Sequence, residues 1–148
     1  MNKADRAREL FGQGYNCSQT IMGTFAEEFP LSFEEVMHLA APLGGGMGRM
    51  REVCGAVSGM CMVAGAVFGY SRPEQIEEKA MLYALERHLA QRFREENGTI
   101  LCRELLGLQQ AEASPVPQKR DEAYYAARPC GELCAHAAAI LEEELAFR

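Results

Sequence analysis

The chain has 148 residues, of which 48% are hydrophobic and 24% are charged, and this composition excludes an intrinsically disordered protein. A net charge of -6 excludes a basic surface for nucleic acid or for anionic membrane. No apolar run reaches the roughly 18 residues of a membrane span, and the first residues lack the apolar segment of a signal peptide. We therefore expect one cytoplasmic domain covering residues 1–148.

The spacing of apolar residues predicts an all-α fold, a compact bundle of about six helices. Capping residues support the helix starts, with Asn16 before the second helix and Ser32 with Glu35 as a capping box before the third. The predicted helices are, in chain order, 4–11, 17–29, 33–41, 52–68, 73–97, 100–106 and 130–147, with one further turn over 121–127. The segment 109–120, with two prolines, predicts an exposed loop.

The middle of the chain combines a glycine-rich segment with an apolar helix. Residues 44–48 (GGGMG) predict a flexible loop, and residues 52–68 predict a central, buried helix rich in small residues. Gly55 and Gly59 lie on one face of that helix and each costs about 1 kcal/mol of helix propensity. This cost indicates that another backbone, or a cofactor, approaches the helix closely at these glycines.

Six cysteines are numerous for a chain without an export signal, so metal binding or redox chemistry is favoured over structural disulfides. A cysteine can also be simply a small buried hydrophobe. Four cysteines fall in the predicted first turn of a helix, and these are Cys17, Cys54, Cys102 and Cys130. Cys61 and Cys134 lie further along their helices and are expected to be packing residues.

The start of a helix favours negative charge, by about 0.3–1 kcal/mol. A thiolate there has a lowered pKa, and the thiolate is both the nucleophile and the metal ligand. Nearby arginines would act in the same direction, namely Arg49 and Arg51 before Cys54, and Arg103 after Cys102. We therefore expect an activating environment for the four cysteines at helix starts.

The other polar residues suggest no site. His38, His88 and His136 lack the spacing of metal ligands and are expected to be surface or packed histidines. The run 142–144 of three glutamates predicts a solvated face of the last helix. No spacing typical of a serine-hydrolase triad or of a phosphate-binding loop is present.

Four segments together resemble the C_GCAxxG_C_C family of bacteria and archaea, which is described as redox-active. These are GYNCSQTI, GGGMGRMREVCGAVSG, CRELLG and PCGELCAHAAAILEEEL, in this order and spacing. The resemblance implies an all-α fold and identifies Cys17, Cys54, Cys102 and Cys130 as the family's cysteines. A related domain occurs in a dihaem cytochrome that also carries an iron–sulfur centre, and family genes often lie near transporter genes. The chain has no C-x-x-C-H sequence, so covalent haem is not implied.

Three functions stay open at this point. The four thiolates could hold an iron–sulfur cluster or another metal, with Gly55, Gly59, Arg49 and Arg51 lining the cofactor. They could instead exchange electrons as redox dithiols, which requires two cysteines with Cα atoms about 4.4–6.8 Å apart. The third alternative is a non-catalytic binding or redox-sensing module, which the family's gene neighbourhood links to a transporter.

The interpretation that we carry forward is a redox-active or electron-transfer protein with a site at the four cysteines. We expect an unidentified redox partner, a homo-oligomer, no nucleic acid and no membrane insertion. Replacing Cys54 by serine should abolish bound metal or the redox response, whereas replacing Cys61 should not.

Overall fold

The computed structural model describes residues 1–109 and 112–148, and this part of the chain contains eight α-helices. Their bounds are α1 Lys3–Gly12, α2 Cys17–Thr24, α3 Phe33–Ala40, α4 Gly55–Phe68, α5 Ile76–Asn97, α6 Cys102–Leu105, α7 Glu122–Ala127 and α8 Cys130–Ala146. Two short 3₁₀ turns cover Ala26–Glu28 and Ala41–Leu43. The all-α prediction is confirmed. The count is higher than the expected count of about six, because the predicted turn over 121–127 forms the helix α7 and the short predicted helix over 100–106 forms α6.

The predicted capping residues form the bonds expected of them. Asn16 accepts a hydrogen bond from the Gln19 amide while the Gln19 side chain accepts from the Asn16 amide, at 2.9 and 3.2 Å. Ser32 and Glu35 form the same capping box at the start of α3. Helix α2 ends at Thr24, earlier than predicted, because Phe25 leaves the helical conformation and a 3₁₀ turn follows.

Helix α4 packs closely against α2 through its glycines. A Cβ atom on Gly59 would lie 2.7 Å from Cβ of Ile21, and one on Gly55 would lie 2.9 Å from Cβ of Cys17. Such distances are below ordinary contact, so the close approach expected of these glycines is made by the α2 helix. Helix α4 also contacts α5 and α8, whereas Ala66 and Val67 in its last turn are exposed.

A short antiparallel bridge precedes α4 and explains why this helix starts three residues later than predicted. Val53 pairs with Leu101. The Cys54 amide donates to the Ile100 carbonyl at 2.7 Å, and the Cys102 amide donates to the Glu52 carbonyl at 2.6 Å. The starts of α4 and α6 are therefore held side by side by backbone hydrogen bonds.

The glycine-rich segment is an ordered turn of left-handed backbone, where a flexible loop was predicted. All five residues from 45 to 49 have positive φ angles, between 57° and 70°. Left-handed backbone costs an L-residue with a side chain about 1–2 kcal/mol, which explains the glycines at three of the five positions. Gly46 is further required by space, because a Cβ there would lie 2.6 Å from the Glu52 amide nitrogen.

Helix α5 and the loop after α6 complete the fold. Helix α5 begins at Ile76, where a start at Pro73 was predicted, and ends as predicted before the left-handed Gly98. Residues 110 and 111 of the predicted loop lie outside the described residues, and residues 112–120 contain no helix. In the described ranges, every helix is too short or too polar to cross a membrane.

Candidate functional site

The four cysteines singled out by sequence line one cavity. Cys17, Cys102 and Cys130 are the first residues of α2, α6 and α8, and Cys54 occupies the N-cap position of α4. The cavity, which we call the thiol cavity, has a volume of about 50 Å³. This volume holds a few water molecules and is well below the roughly 150 Å³ of a cavity that binds benzene.

Two of the other four residues proposed from sequence also line the thiol cavity, namely Gly55 and Arg51. Arg49 lies in an adjoining outer cavity. Gly59 is one helical turn further along α4 and faces Ile21 of α2. The structure therefore places Gly55 and Arg51 among the cysteines, and it gives Gly59 a helix-packing position.

A fifth thiol belongs to this group. The pKa of the Cys17 thiol responds to the neighbouring thiols of both Cys130 and Cys134, which are one turn apart on α8. Cys134 is fully buried. Sequence analysis treated Cys134 as a packing residue, although its i, i+4 spacing from Cys130 predicts a shared helix face. Cys61 is partly exposed on α4 and lines no part of the cavity.

The thiols are held in their neutral form, which contradicts the lowered pKa values expected at helix starts. Burial raises the pKa of Cys54 to about 12, even though the backbone amides of Ala56 and Val57 lower it. Hydrogen bonding to Cys17 and burial together raise the pKa of Cys130. The helix amides act in the predicted direction, but the loss of solvation is the larger effect.

Cys102 is the thiol with a cationic partner. Nη1 of Arg51 lies 3.6 Å from its Sγ atom. Burial raises the pKa of Cys102, and the Arg51 guanidinium opposes that rise. Arg51 is itself only 6% exposed and adopts a left-handed backbone at φ 59°. A non-glycine residue in this conformation is uncommon and is enriched at functional sites.

Glu112 links the two arginines proposed from sequence. Its carboxylate bonds to Nε of Arg51 at 3.1 Å and also forms an ion pair with Arg49. Arg49 in turn donates to the backbone carbonyls of Ser114, at 2.9 Å, and Val116. These contacts fasten the segment after residue 111 across the entrance to the thiol cavity.

A third arginine completes the entrance. Arg120 donates to the carbonyls of Phe11 and Tyr15, at 3.2 and 3.0 Å, and its guanidinium lies 4.3 Å from the centre of the Phe11 ring. Arg120 and Tyr124 both line the thiol cavity. Sequence analysis did not identify Glu112, Arg120 or Tyr124, because they lie in a loop and a short helix without a recognisable motif.

The donor chemistry of the site suits a metal, but the arrangement of side chains is less suitable. Four thiols could ligate iron or zinc. Within residues 1–109 and 112–148, however, no three Cys, His, Asp or Glu side chains are grouped so that they could hold one metal ion. Two of the histidines are engaged outside the thiol cavity, since His88 bonds to Glu144 and His136 bonds to Asn97.

The comparisons with known proteins identify a family. The family model described as "Putative redox-active protein (C_GCAxxG_C_C)" matches residues 15–144, and the chain belongs to this family. No curated protein and no solved structure matches the chain. The matched range contains all six cysteines, the left-handed turn and the arginines at the entrance.

Proposed function

From its membership of the C_GCAxxG_C_C family, we propose that this protein is a thiol–disulfide redox protein, with Cys17 and Cys130 as its disulfide-forming pair. The observation that carries the proposal is the position of these two thiols, which begin α2 and α8 and line the cavity that Cys54 and Cys102 also line, with Cys17 raising the pKa of Cys130. A disulfide between them requires Cα atoms about 4.4–6.8 Å apart.

The roles of the other cysteines follow from their surroundings. Cys102 is next to Arg51, which also lines the adjoining outer cavity, so it is the thiol best placed to react first with an external partner. Cys54 is joined to Cys102 by the backbone bridge. We infer that electrons pass between an external partner and Cys102, and from there to the Cys17–Cys130 pair by thiol–disulfide exchange, which needs only a thiolate and a disulfide within reach.

The raised pKa values have a consequence for this chemistry. Exchange requires the thiolate, so buried thiols with raised pKa values react slowly at neutral pH. We expect a slow, selective redox protein. The Arg51 contact favours reaction at Cys102, and burial protects the other cavity thiols from general oxidation.

Oxidation followed by disulfide mapping tests the proposal. The reduced protein is treated with a stoichiometric amount of diamide without oxygen, the remaining thiols are alkylated, and the linked peptides are identified by mass spectrometry. We expect one disulfide between Cys17 and Cys130, and its loss in the Cys130→Ser variant. The matched control is Cys61→Ser, which removes a thiol outside the cavity and should leave the disulfide intact.

Two outcomes of the diamide experiment would contradict the proposal. An unchanged thiol count after diamide would remove the redox proposal and favour the non-catalytic binding module. A linkage that includes Cys61 would show that oxidation occurs in unfolded chains rather than in the cavity.

A metal centre is the second candidate, favoured by the convergence of four thiols from four helix starts on one cavity. Bound there, an iron–sulfur cluster would supply one-electron transfer, with Cys17, Cys54, Cys102 and Cys130 as the candidate ligands. Metal analysis and a visible absorption spectrum on protein purified without oxygen distinguish the candidates. Stoichiometric iron with sulfide would replace the dithiol proposal, whereas colourless protein with about six titratable thiols would support it.

A further inference from the structure

A second, larger cavity lies outside the thiol cavity and opens onto it. This outer cavity, which we call the vestibule, has a volume of about 470 Å³. That size lies within the roughly 300–1,000 Å³ of small-molecule sites, whereas the thiol cavity of about 50 Å³ is too small to hold a whole ligand. The residues that line both cavities are Asn16, Gly45, Arg51, Arg120 and Tyr124.

The vestibule is positively charged in a protein whose net charge is -6. Its lining includes the guanidinium groups of Arg49, Arg51 and Arg120. The carboxylate of Glu112 pairs with the first two. In the described part of the chain, Arg120 contacts only backbone carbonyls and aromatic rings. Three cations against one carboxylate leave a net charge of +2 around the vestibule.

Arg51 connects this charge to the thiols. It lines both cavities, its Nε atom faces Glu112, and its Nη1 atom lies 3.6 Å from Sγ of Cys102. A ligand whose anionic groups bind the vestibule arginines would therefore present its adjacent atoms to Cys102. Planar guanidinium groups are well suited to carboxylates, which they bind through two parallel hydrogen bonds.

We propose that the vestibule binds an anionic low-molecular-weight disulfide, held through its carboxylates by Arg49, Arg51 and Arg120, with its sulfur–sulfur bond at Cys102. This assignment of a substrate class rests on the thiol–disulfide function proposed above. It adds that selectivity comes from the charge of the vestibule rather than from the thiols themselves.

The reaction balances with the bound disulfide as oxidant. The Cys102 thiol loses its proton to solvent, and the resulting thiolate attacks one sulfur of R–S–S–R. That bond breaks, Cys102 becomes a mixed disulfide with R, and the released thiolate takes up a proton. A second cavity thiolate then attacks Sγ of Cys102 and releases the second R–S⁻, which is also protonated. Two protein thiols are oxidised to one disulfide, and one R–S–S–R is reduced to two R–SH.

Three disulfides that share the reacting bond and differ in charge provide the test. The rate of protein thiol loss is measured without oxygen for oxidised glutathione (anionic), bis(2-hydroxyethyl) disulfide (neutral) and cystamine (cationic). We expect oxidised glutathione to react at least about tenfold faster than the neutral disulfide, and cystamine to react slowest. Because salt screens these charges, the differences should shrink from about 0.01 M to about 1 M ionic strength.

Matched variants locate the effect. Arg120→Gln and Arg49→Gln each remove one vestibule charge, and each should lower the ratio of the rates with oxidised glutathione and with the neutral disulfide about threefold to tenfold. The control is Arg72→Gln, which makes the same charge change at an exposed residue beyond the far end of α4. An equal loss in Arg72→Gln would assign the selectivity to net charge and overturn the vestibule.

A binding measurement separates this inference from the redox proposal. S-methylglutathione carries the same carboxylates but cannot exchange, and its binding is measured by calorimetry on the reduced protein. Binding that weakens in Arg120→Gln supports the vestibule even if no thiol is oxidised, in which case only the redox function fails. Equal rates with all three disulfides and no calorimetric binding overturn the vestibule and leave the redox function standing.

Discussion

The last helix, α8, has a buried polar group near each end, and the two groups are kept in opposite charge states. At its first residue, the hydrogen bond to Cys17 and burial raise the pKa of Cys130, so the thiol stays neutral. In its last turn, burial raises the pKa of Glu144, but hydrogen bonds from His88 and Arg92 more than compensate. These bonds are 2.7 and 3.1 Å long.

The comparison shows that burial does not decide a charge state by itself. It favours the neutral form at both ends of α8, and the outcome depends on how many cationic partners face the group. Glu144 faces the Arg92 guanidinium and the His88 ring on α5, whereas Arg51 is the cation in contact with a cavity thiol and touches Cys102 alone. The sequence prediction of a solvated face over residues 142–144 is therefore wrong for Glu144, which is 9% exposed.

We expect the largest effect on stability at Gly46, which lines the thiol cavity and packs closely against backbone atoms. Gly46→Ala adds a Cβ that would lie 2.6 Å from the Glu52 amide nitrogen, on backbone with a φ of 66°. We expect a loss of about 3 kcal/mol or more in the free energy of unfolding, measured in urea. Gly48→Ala is the control, because its φ is also positive but its Cβ meets nothing within 4 Å. It should cost only about 1–2 kcal/mol, and equal losses would rule out the close approach at Gly46.

The next-largest effect on stability concerns Glu144, the charged group in the last turn of α8. Glu144→Ala leaves Arg92 and His88 without their shared carboxylate, and we expect a loss of about 2–3 kcal/mol in the free energy of unfolding. Glu142→Ala removes an exposed carboxylate of the same run and should change stability by less than about 0.5 kcal/mol. If both variants lose the same amount, Glu144 is as solvated as the sequence suggested.

Cys54 in the thiol cavity and Glu144 near the end of α8 should lose their contributions to stability at opposite extremes of pH. The folded pKa of Cys54, about 12, is above the roughly 8.5 of an unfolded cysteine. Its contribution is therefore complete below pH about 8.5 and declines as the pH rises towards 12, by at most about 1.4 kcal/mol per pH unit. In Cys54→Ala this alkaline decline should be shallower, as measured by urea unfolding from pH 8 to 11 under reducing conditions.

The stability contributed by Glu144 depends on pH in the opposite direction and is lost in acid. The pKa of Glu144 is lowered in the folded protein, so its contribution is complete above the unfolded value of about 4.3 and is lost as the pH falls through the folded pKa. Glu144→Gln should flatten the acid decline and leave the alkaline one unchanged. A change in the alkaline limb would mean that Glu144 and the thiol cavity are coupled.

The smallest expected effect concerns the reactivity of Cys102, the cavity thiol in contact with Arg51. Arg51→Met removes the cation at 3.6 Å from Sγ, and the loss of about 1 kcal/mol of thiolate stabilisation should slow alkylation of Cys102 about fivefold at pH 8. The rate is measured by mass spectrometry on the Cys102 peptide. Arg103→Met, which breaks an exposed pair with Glu52, should leave that rate unchanged; equal slowing in both variants would count against the Arg51 contact.

Much of the fold could be predicted from local sequence signals. The capping boxes at Asn16 and Ser32, and the end of α5 before Gly98, depend on residues only three or four positions apart in the sequence. The four cysteines could be placed at helix starts for the same reason. The start of α4 could not, because it depends on the bridge to Leu101, nearly fifty residues away.

The site was harder to predict than the fold, for two physical reasons. The thiol pKa values depend on burial, which a sequence does not report, and burial outweighs the helix amides at Cys54. The entrance is built by Glu112 and Arg120 from a segment without periodicity. The cytoplasmic location and the homo-oligomer expected from sequence stay predictions, and sedimentation of the reduced protein would check the second.

The left-handed turn also bears on the order in which the molecule assembles. Two of the five consecutive left-handed residues, Met47 and Arg49, carry side chains that disfavour this backbone, and so does the nearby Arg51. Backbone bonds within the turn, such as that from Arg51 to Gly45, are supplemented by contacts with distant segments, such as the bond from Arg49 to Ser114. We therefore expect this corner to form last during folding, so that a newly made chain exposes its thiols to the cell before the cavity closes around them.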